Sequence, residues 1–128
     1  MGQVLVVEDD VVVCRVLEHV LELEDHEAIV VHDVSAAKDV LATHDVDIVL
    51  LDLMLPGGYG LELLTYLRRE VGMSTPVIVL SAIKHEQNVV EALEAGANDY
   101  VSKPFSPTEL LSRIRKWVEG REDLARTR

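Results

Sequence analysis

The chain has little cysteine, few cations, few aromatic residues and no long apolar run. Its single cysteine, Cys14, excludes an internal disulfide and fits a reducing compartment. Cys14 has no second cysteine to pair with and no histidine within four residues in the sequence, so we interpret it as a structural thiol. No segment approaches the roughly 20 apolar residues of a membrane span. With no signal peptide predicted either, we expect a cytoplasmic protein without a membrane partner.

The scarcity of cations argues against direct nucleic-acid binding by this domain. Lys and Arg number 12 against 23 Asp and Glu, which gives a formal net charge of −11. A chain this acidic gains no affinity from displacing the counterions of DNA or RNA. Aromatic residues make up 4% of a chain that is 48% hydrophobic, so Val, Leu, Ile and Ala form the expected core.

Short, continuous apolar runs alternate with helical patterns along the chain. Such runs are typical of parallel strands covered on both faces. We predict helices between the runs, with Ser35 capping the second, Gly96 ending the fourth and Ser106 capping the fifth. The predicted strands are Val4–Val7, Ala28–Val31, Ile48–Leu51, Val77–Leu80 and a short Tyr100–Val101.

This alternation predicts a doubly wound α/β fold with a five-stranded parallel sheet and right-handed crossovers. Its 128 residues suffice for one domain and not for two. The last apolar stripe closes at Val118. We therefore predict one domain over residues 1–118 and a charged tail or linker stub over residues 119–128.

Three acids follow predicted strands, with Glu8 and Asp9 after the first and Asp52 after the third. In such sheets ligands bind outside the carboxyl ends of the strands. Carboxylates that lie close together raise each other's pKa unless a cation compensates. A hard divalent ion such as Mg²⁺ (or Mn²⁺) suits these oxygen ligands. Taken singly, Asp9 or Asp10 is equally a helix cap, and the shared sheet edge is what favours a binding site.

A hydroxyl and an ammonium group are predicted at the same edge. Ser81 closes the fourth apolar run, and Lys103 follows the fifth strand. The Lys103-Pro104 step is a candidate cis peptide that would aim the lysine inward. We interpret the five histidines, which show no metal-ligand spacing, as surface or partly buried and non-catalytic: His19, His26, His32, His44 and His85.

Four segments together resemble the receiver domain of two-component response regulators, over residues 3–118. They are Val4–Asp10, Asp47–Gly58, Val79–Ala82 and Asp99–Phe105. The resemblance implies a flavodoxin-like (βα)5 fold with strand order 2-1-3-4-5. It also implies a protein that catalyses only its own phosphorylation and dephosphorylation.

The resemblance further implies a role for each acid of the edge. Asp52 would accept a phosphoryl group from a sensor histidine kinase or a histidine phosphotransfer protein. Glu8, Asp9, Asp52 and the backbone carbonyl of Met54 would hold Mg²⁺, while Lys103 neutralises charge on the phosphoryl oxygens. The same residues thus receive the group and stabilise its transfer.

A switch and a dimer face are also implied. Ser81 would donate its hydroxyl to a phosphoryl oxygen, and Tyr100 would rotate inward into the space that Ser81 leaves. This movement would repack the face made by helix four, strand five and helix five. Within the family, the chain resembles most the branch that carries winged-helix DNA-binding domains. Asp99, Glu109 and Arg113 match the ion pairs through which that branch forms homodimers.

The chain departs from that branch at several positions. Val89, Asn98 and Gly120 replace charged residues of the dimer pairs, so half of those pairs are missing. Met54 and Ile83, two residues past Asp52 and Ser81, are apolar and cannot orient an attacking water. We therefore predict a long-lived phosphorylated state.

The alternative function is a Mg²⁺-dependent phosphatase-like enzyme that uses the same acidic pocket. Enzymes of that kind need a D-x-D pair after a strand, whereas Leu53 and Met54 follow Asp52 here. A flavin-binding domain is disfavoured because Glu8-Asp9-Asp10 would repel a phosphate. The output stays open between a stand-alone receiver and the first domain of a longer regulator.

Overall fold

The computed structural model describes residues 2–55, 58–82 and 85–126. Five parallel strands form one sheet in the order β2-β1-β3-β4-β5. The predicted doubly wound fold and its strand order are therefore confirmed. The strands are β1 (Gln3–Val7), β2 (Glu27–Val31), β3 (Ile48–Leu51), β4 (Val77–Ser81) and β5 (Asp99–Ser102).

Helices connect successive strands and cover both faces of the sheet. The third, α3, continues as a π-helical turn over Tyr66–Glu70. Between β3 and α3, Met54–Leu55 pairs with Gly58–Tyr59 as a short antiparallel ladder. The helices are α1 (Val11–Glu22), α2 (Val34–Thr43), α3 (Leu61–Thr65), α4 (Glu86–Glu94) and α5 (Pro107–Arg126).

Alternate residues of each strand point to opposite faces, which divides the core into two layers. On one face Leu5, Val49 and Val79 pack with side chains of α2, α3 and α4. On the other, Val6 and Leu50 pack with side chains of α1 and α5. Because both faces are covered, every residue of β3 and β4 is buried, as the continuous apolar runs predicted.

Helix ends correct two details of the sequence prediction. Helix α2 begins at Val34, and the Asp33 side chain accepts the backbone N–H of Ala36 at 2.7 Å, so Asp33 and not Ser35 is its cap. Helix α5 does begin after Ser106, whose Oγ accepts the N–H of Glu109 at 3.4 Å. The helix continues to Arg126, so residues 119–126 of the predicted tail are helical. The domain boundary at residue 118 stays a prediction.

Candidate functional site

Four strand ends meet at one edge of the sheet. Val7 of β1 is in register with Leu51 of β3, and Ser81 of β4 is in register with Ser102 of β5. The residues that follow these strands therefore emerge side by side. This register brings together the sequence-predicted set: Glu8, Asp9, Asp52, Ser81 and Lys103.

Glu8, Asp9 and Asp52 form a compact acidic cluster. Each contributes a carboxylate oxygen, and these oxygens lie within 4.8 Å of one another. Glu8 is only 2% exposed and Asp52 only 8% exposed, whereas Asp9 is open to solvent. The alternative role of a helix cap belongs to Asp10, whose Oδ1 accepts the N–H of Val12 at 2.9 Å. Asp10 and not Asp9 therefore caps the helix, and Asp9 belongs to the acidic cluster.

Lys103 supplies the cation on the inner side of this cluster. Its Nζ contacts Glu8 Oε1 and lies 3.3 Å from Asp52 Oδ2. Burial by itself lowers the pKa of Lys103, but the hydrogen bond to Glu8 and the charge of Asp52 outweigh it and raise the pKa above its ordinary value. The predicted cis peptide bond between Lys103 and Pro104 is present. The raised pKa keeps the Lys103 side chain an ammonium group at neutral pH, and its Nζ is directed at both buried acids.

One ammonium group does not neutralise three carboxylates. Burial raises the pKa of Glu8 above its ordinary value, and the charge of Asp52 adds to that rise. Hydrogen bonds from Lys103 and from the N–H of Asp10 oppose it only in part. The set of hard oxygen donors with unbalanced negative charge fits a divalent cation such as Mg²⁺. Met54 donates its N–H to Asp52 Oδ1 at 3.1 Å, and the expected role of its carbonyl stays a prediction.

Ser81 and Tyr100 form the polar contact next to the acids. Ser81 is fully buried at the end of β4, and Tyr100 is half-buried on β5. Burial raises the pKa of the Tyr100 hydroxyl, and a hydrogen bond with the Ser81 side chain opposes that rise. The tyrosine hydroxyl therefore contacts Ser81 rather than lying only in water. Ile83, to which the sequence assigned a part in phosphoryl lifetime, lies outside the described residues.

The three residues predicted for a dimer face contact one another within the chain. Arg113 bonds Asp99 Oδ1 at 2.7 Å through Nη1 and Glu109 Oε1 at 2.9 Å through Nη2. Trp117, which sequence reasoning assigned only to the core stripe, donates its indole N–H to Asp99 Oδ2 at 3.2 Å. Both carboxylate oxygens of Asp99 thus have partners in the same chain. We call Asp99, Glu109, Arg113 and Trp117 the Asp99 cluster.

Three contacts at the site were not predicted. Glu8 is held through its backbone carbonyl by Cys14 and His32. A Cβ at Gly60 would lie 2.5 Å from the carbonyl oxygen of Asp52, so the loop after Asp52 needs glycine there. No sequence pattern predicts the contacts of Cys14 and His32 with the Glu8 carbonyl, because the three residues lie on different elements that meet only in the folded chain.

Comparison with known proteins agrees with this arrangement. A family model described as the response regulator receiver domain matches residues 4–115, and the chain belongs to that family. The phosphatase-like alternative finds no support in these matches. Among the helices that the structure describes, none combines the length and apolar character that crossing a membrane requires.

Particular relatives are named as transcriptional regulatory proteins. The chain is 45% identical over 114 residues to the uncharacterized transcriptional regulatory protein YkoG of Bacillus subtilis, covering 89% of this chain and 50% of YkoG. It is 40% identical to the phosphate regulon transcriptional regulatory protein PhoB of Escherichia coli, covering 88% of this chain and 50% of PhoB. The chain thus spans about half the length of the curated relatives it matches.

Solved receiver domains superimpose closely on the chain. The BeF3-activated N-terminal receiver domain of Klebsiella pneumoniae RstA has a TM-score of 0.86 at 33% identity, covering 91% of this chain and 98% of that one. The receiver domain of the Francisella response regulator 1452 has a TM-score of 0.87 at 33% identity, covering 93% and 98%. Fold and family therefore agree with the resemblance seen in the sequence.

Proposed function

We propose that Asp52 is the phosphoacceptor of this receiver domain and takes its phosphoryl group from the phosphohistidine of a sensor histidine kinase or a histidine phosphotransfer protein. The observation that carries the proposal is the placement of Asp52. Its carboxylate is 8% exposed, lies within reach of two further acids, and faces the Lys103 ammonium at 3.3 Å. A nucleophilic carboxylate beside fixed cationic charge suits phosphoryl transfer.

The contacts of the other two acids support a different part for them. Glu8 contacts Lys103 through Oε1 and accepts a backbone N–H through Oε2 at 3.1 Å, so both of its oxygens are engaged. Asp9 is the open, solvent-facing acid of the three. We assign both to cation binding, together with Asp52 and the Met54 carbonyl. When bound, Mg²⁺ (or Mn²⁺) would supply positive charge against the phosphoryl oxygens.

In the transfer step, the phosphorus–nitrogen bond of the donor breaks and a phosphorus–oxygen bond to Asp52 forms. The electron pair of the broken bond stays with the leaving imidazole nitrogen. Lys103 remains protonated because its pKa is raised, and it neutralises charge that spreads over the phosphoryl oxygens. The protein acts on no other substrate in this scheme and catalyses only the gain and loss of its own phosphoryl group.

Ser81 and Tyr100 would report the new charge to the surface. A phosphoryl group on Asp52 offers new acceptor oxygens, and the buried Ser81 hydroxyl would turn to one of them. Tyr100 would then lose its bond to Ser81 and move further into the space that Ser81 leaves. Because Tyr100 lies on β5, this repacking reaches the face of α4, β5 and α5.

An apolar groove beside the pocket suits docking of the phosphodonor. It has a volume of about 430 Å³. Val12 and Val16 on α1 are 70% and 43% exposed there, and Lys103 borders both the groove and the acids. A donor that must bring its phosphohistidine to Asp52 would cover these apolar side chains. The lining residues are Val12, Val13, Val16, Ala82, Lys103, Pro104, Phe105 and Pro107.

The output of this switch belongs to a longer regulator in our proposal. The relatives that are twice as long are named as transcriptional or DNA-binding regulators, so we infer a fused DNA-binding domain and a cytoplasmic location. In a homodimer formed through α4, β5 and α5, Asp99 and Arg113 would replace the bond between them by bonds to the second copy of the chain. Phosphorylation is the event that we expect to drive that exchange.

The phosphorylated state is proposed to be long-lived. The Met54 side chain is 61% exposed beside Asp52 and offers no group that could orient a hydrolytic water. We expect polar replacements at Met54 and Ile83 to shorten the lifetime of the phosphorylated protein in Mg²⁺ buffer. Rapid decay of the wild type, unaltered by those replacements, would show this part of the proposal to be wrong.

Acetyl phosphate with Mg²⁺ tests the proposed function directly. The wild type should gain the mass of one phosphoryl group, and Asp52→Asn should gain none. Asp45→Asn, which alters an exposed acid in the loop before β3, is the matched control and should behave as the wild type. No gain in the wild type, or an equal gain in Asp52→Asn, would overturn the assignment.

A further inference from the structure

The backbone of Glu8 is held by two side chains from different elements. Its carbonyl oxygen lies 3.3 Å from Sγ of Cys14, on α1, and 2.9 Å from Nδ1 of His32, which follows β2. Its N–H donates to the carbonyl of Val31 at 3.0 Å. Thus both polar backbone groups of Glu8 are fixed just where β1 ends and the carboxylate enters the pocket.

The chemistry of a carbonyl oxygen determines the direction of these two hydrogen bonds. The oxygen is an acceptor only, so the Nδ1 atom of His32 carries the hydrogen in this contact. The same reasoning applies to Cys14, whose thiol donates its S–H to this acceptor at 3.3 Å.

These two bonds are additional to the sheet. The ladder between β1 and β2 runs through backbone groups from Gln3 to Val7, so neither side chain is needed for strand pairing. His32 is exposed, and its loss would leave the core packing unchanged. What the two donors restrain is the peptide unit from which the Glu8 side chain departs, and hence the direction of its carboxylate.

We infer that His32 and Cys14 are positioning residues for the cation-binding carboxylate of Glu8 and act through its backbone carbonyl. The inference rests on the proposed function, in which Glu8 is a ligand. Partners that orient a metal ligand from behind typically change affinity by tenfold or more. Loss of the His32 donor is expected to weaken divalent-cation binding by about tenfold.

Mn²⁺ titration of the full chain, followed by electron paramagnetic resonance of the free ion, tests the inference without reference to activity. His32→Ala should raise the Kd for Mn²⁺ by about tenfold. His32→Asn should restore it, because the asparagine amide nitrogen stands at the same number of bonds from the backbone as Nδ1. His19→Ala, an exposed histidine on α1, is the control and should leave the Kd unchanged.

A second pair of variants tests the positioning role of Cys14, the other donor to the Glu8 carbonyl. Cys14→Ser keeps a hydroxyl donor at the buried position and should bind Mn²⁺ more tightly than Cys14→Ala, which keeps none. This pair decides the question if His32→Ala fails to fold, as judged by its unfolding transition.

The possible failures are distinguishable. A wild-type Kd in His32→Ala, or no recovery in His32→Asn, would overturn the positioning role while leaving phosphorylation of Asp52 intact. A wild-type protein that binds no Mn²⁺ would overturn both this inference and the proposed cation site.

Discussion

Strand β5 has a charged cluster at each end, and the two clusters are built differently. At its first residue, the Asp99 cluster places one guanidinium between two carboxylates, of which Glu109 is 54% exposed to water. Just beyond its last residue, Lys103 faces an acidic pocket of three carboxylates. Two of those, Glu8 and Asp52, are buried.

The difference lies in where the excess negative charge resides. In the Asp99 cluster the excess falls on a solvated side chain, and both oxygens of Asp99 have donors. In the described part of the pocket, one ammonium faces three carboxylates, two of them buried, so negative charge is left uncompensated away from water. Buried like charges cost stability, so a pocket of this kind is expected where a cation or a phosphoryl group binds. The excess charge of the Asp99 cluster is solvated, so that cluster needs no bound ion for its stability.

The largest expected effect comes from removing Lys103, the one cation that pairs with the pocket acids among the residues that the structure describes. Lys103→Met leaves Glu8 and Asp52 buried without the cation that pairs with them, and we expect it to lower the free energy of unfolding by about 3 kcal/mol in the presence of a chelator. Added Mg²⁺ should recover part of the loss. Urea unfolding with and without Mg²⁺ measures both, and an unchanged stability would contradict the account.

The next prediction is that two substitutions, one in each cluster, change the free energy of unfolding in opposite directions. Without a divalent cation, Asp52→Asn should raise the free energy of unfolding by about 1 kcal/mol, because it removes a like charge from the pocket. Asp99→Asn should lower it by about 1 kcal/mol, because it weakens the bonds of the less exposed Asp99 to both Arg113 and the Trp117 indole. Urea unfolding of the two variants side by side measures both changes. Destabilisation by both substitutions would contradict the proposed difference between the pocket and the Asp99 cluster.

A smaller effect is expected from pH. The pKa of Glu8 is raised in the folded state, so its ionisation costs stability that is regained as the pH falls through that pKa toward 4.5, the ordinary value. Over that window the rise in Tm produced by Mg²⁺ should shrink, since a protonated Glu8 is a poor ligand. Thermal unfolding of the wild type against Glu8→Gln measures this. The same pH dependence in both would assign it to other groups.

The smallest effect is expected at the Asp99 cluster. Arg113 is 38% exposed, so solvent screens its ion pairs. Arg113→Met should lower the free energy of unfolding by about 0.5 kcal/mol and should not respond to Mg²⁺. A loss as large as that of Lys103→Met would show that the two clusters do not differ as described.

The parts of the fold that depend on local pattern were predictable. Continuous apolar runs identified the five strands, and their common edge identified Glu8, Asp9, Asp52, Ser81 and Lys103 as one group. Periodicity was less informative about burial. Val90 and Leu93 follow a helical spacing on α4, yet both are more than two-fifths exposed. The spacing predicts a helix, whereas packing decides which of its side chains are covered.

The rest depended on contacts that no local pattern encodes. Asp33 and Ser35 are both favourable cap residues, and the extended backbone at Asp33 decides between them. His32 reaches Glu8 only because β2 pairs with β1, and Trp117 reaches Asp99 only because α5 packs beside β5. The contacts of His32 and Trp117 each join residues that are distant in sequence.

Locating the phosphoryl group tests the central claim most directly. After treatment with acetyl phosphate and Mg²⁺, borohydride reduction converts an acyl phosphate to a stable alcohol that peptide mass spectrometry assigns to one residue. We predict modification at Asp52 alone. Modification at Glu8, Asp9 or an acid outside the pocket, or no modification, would contradict the account.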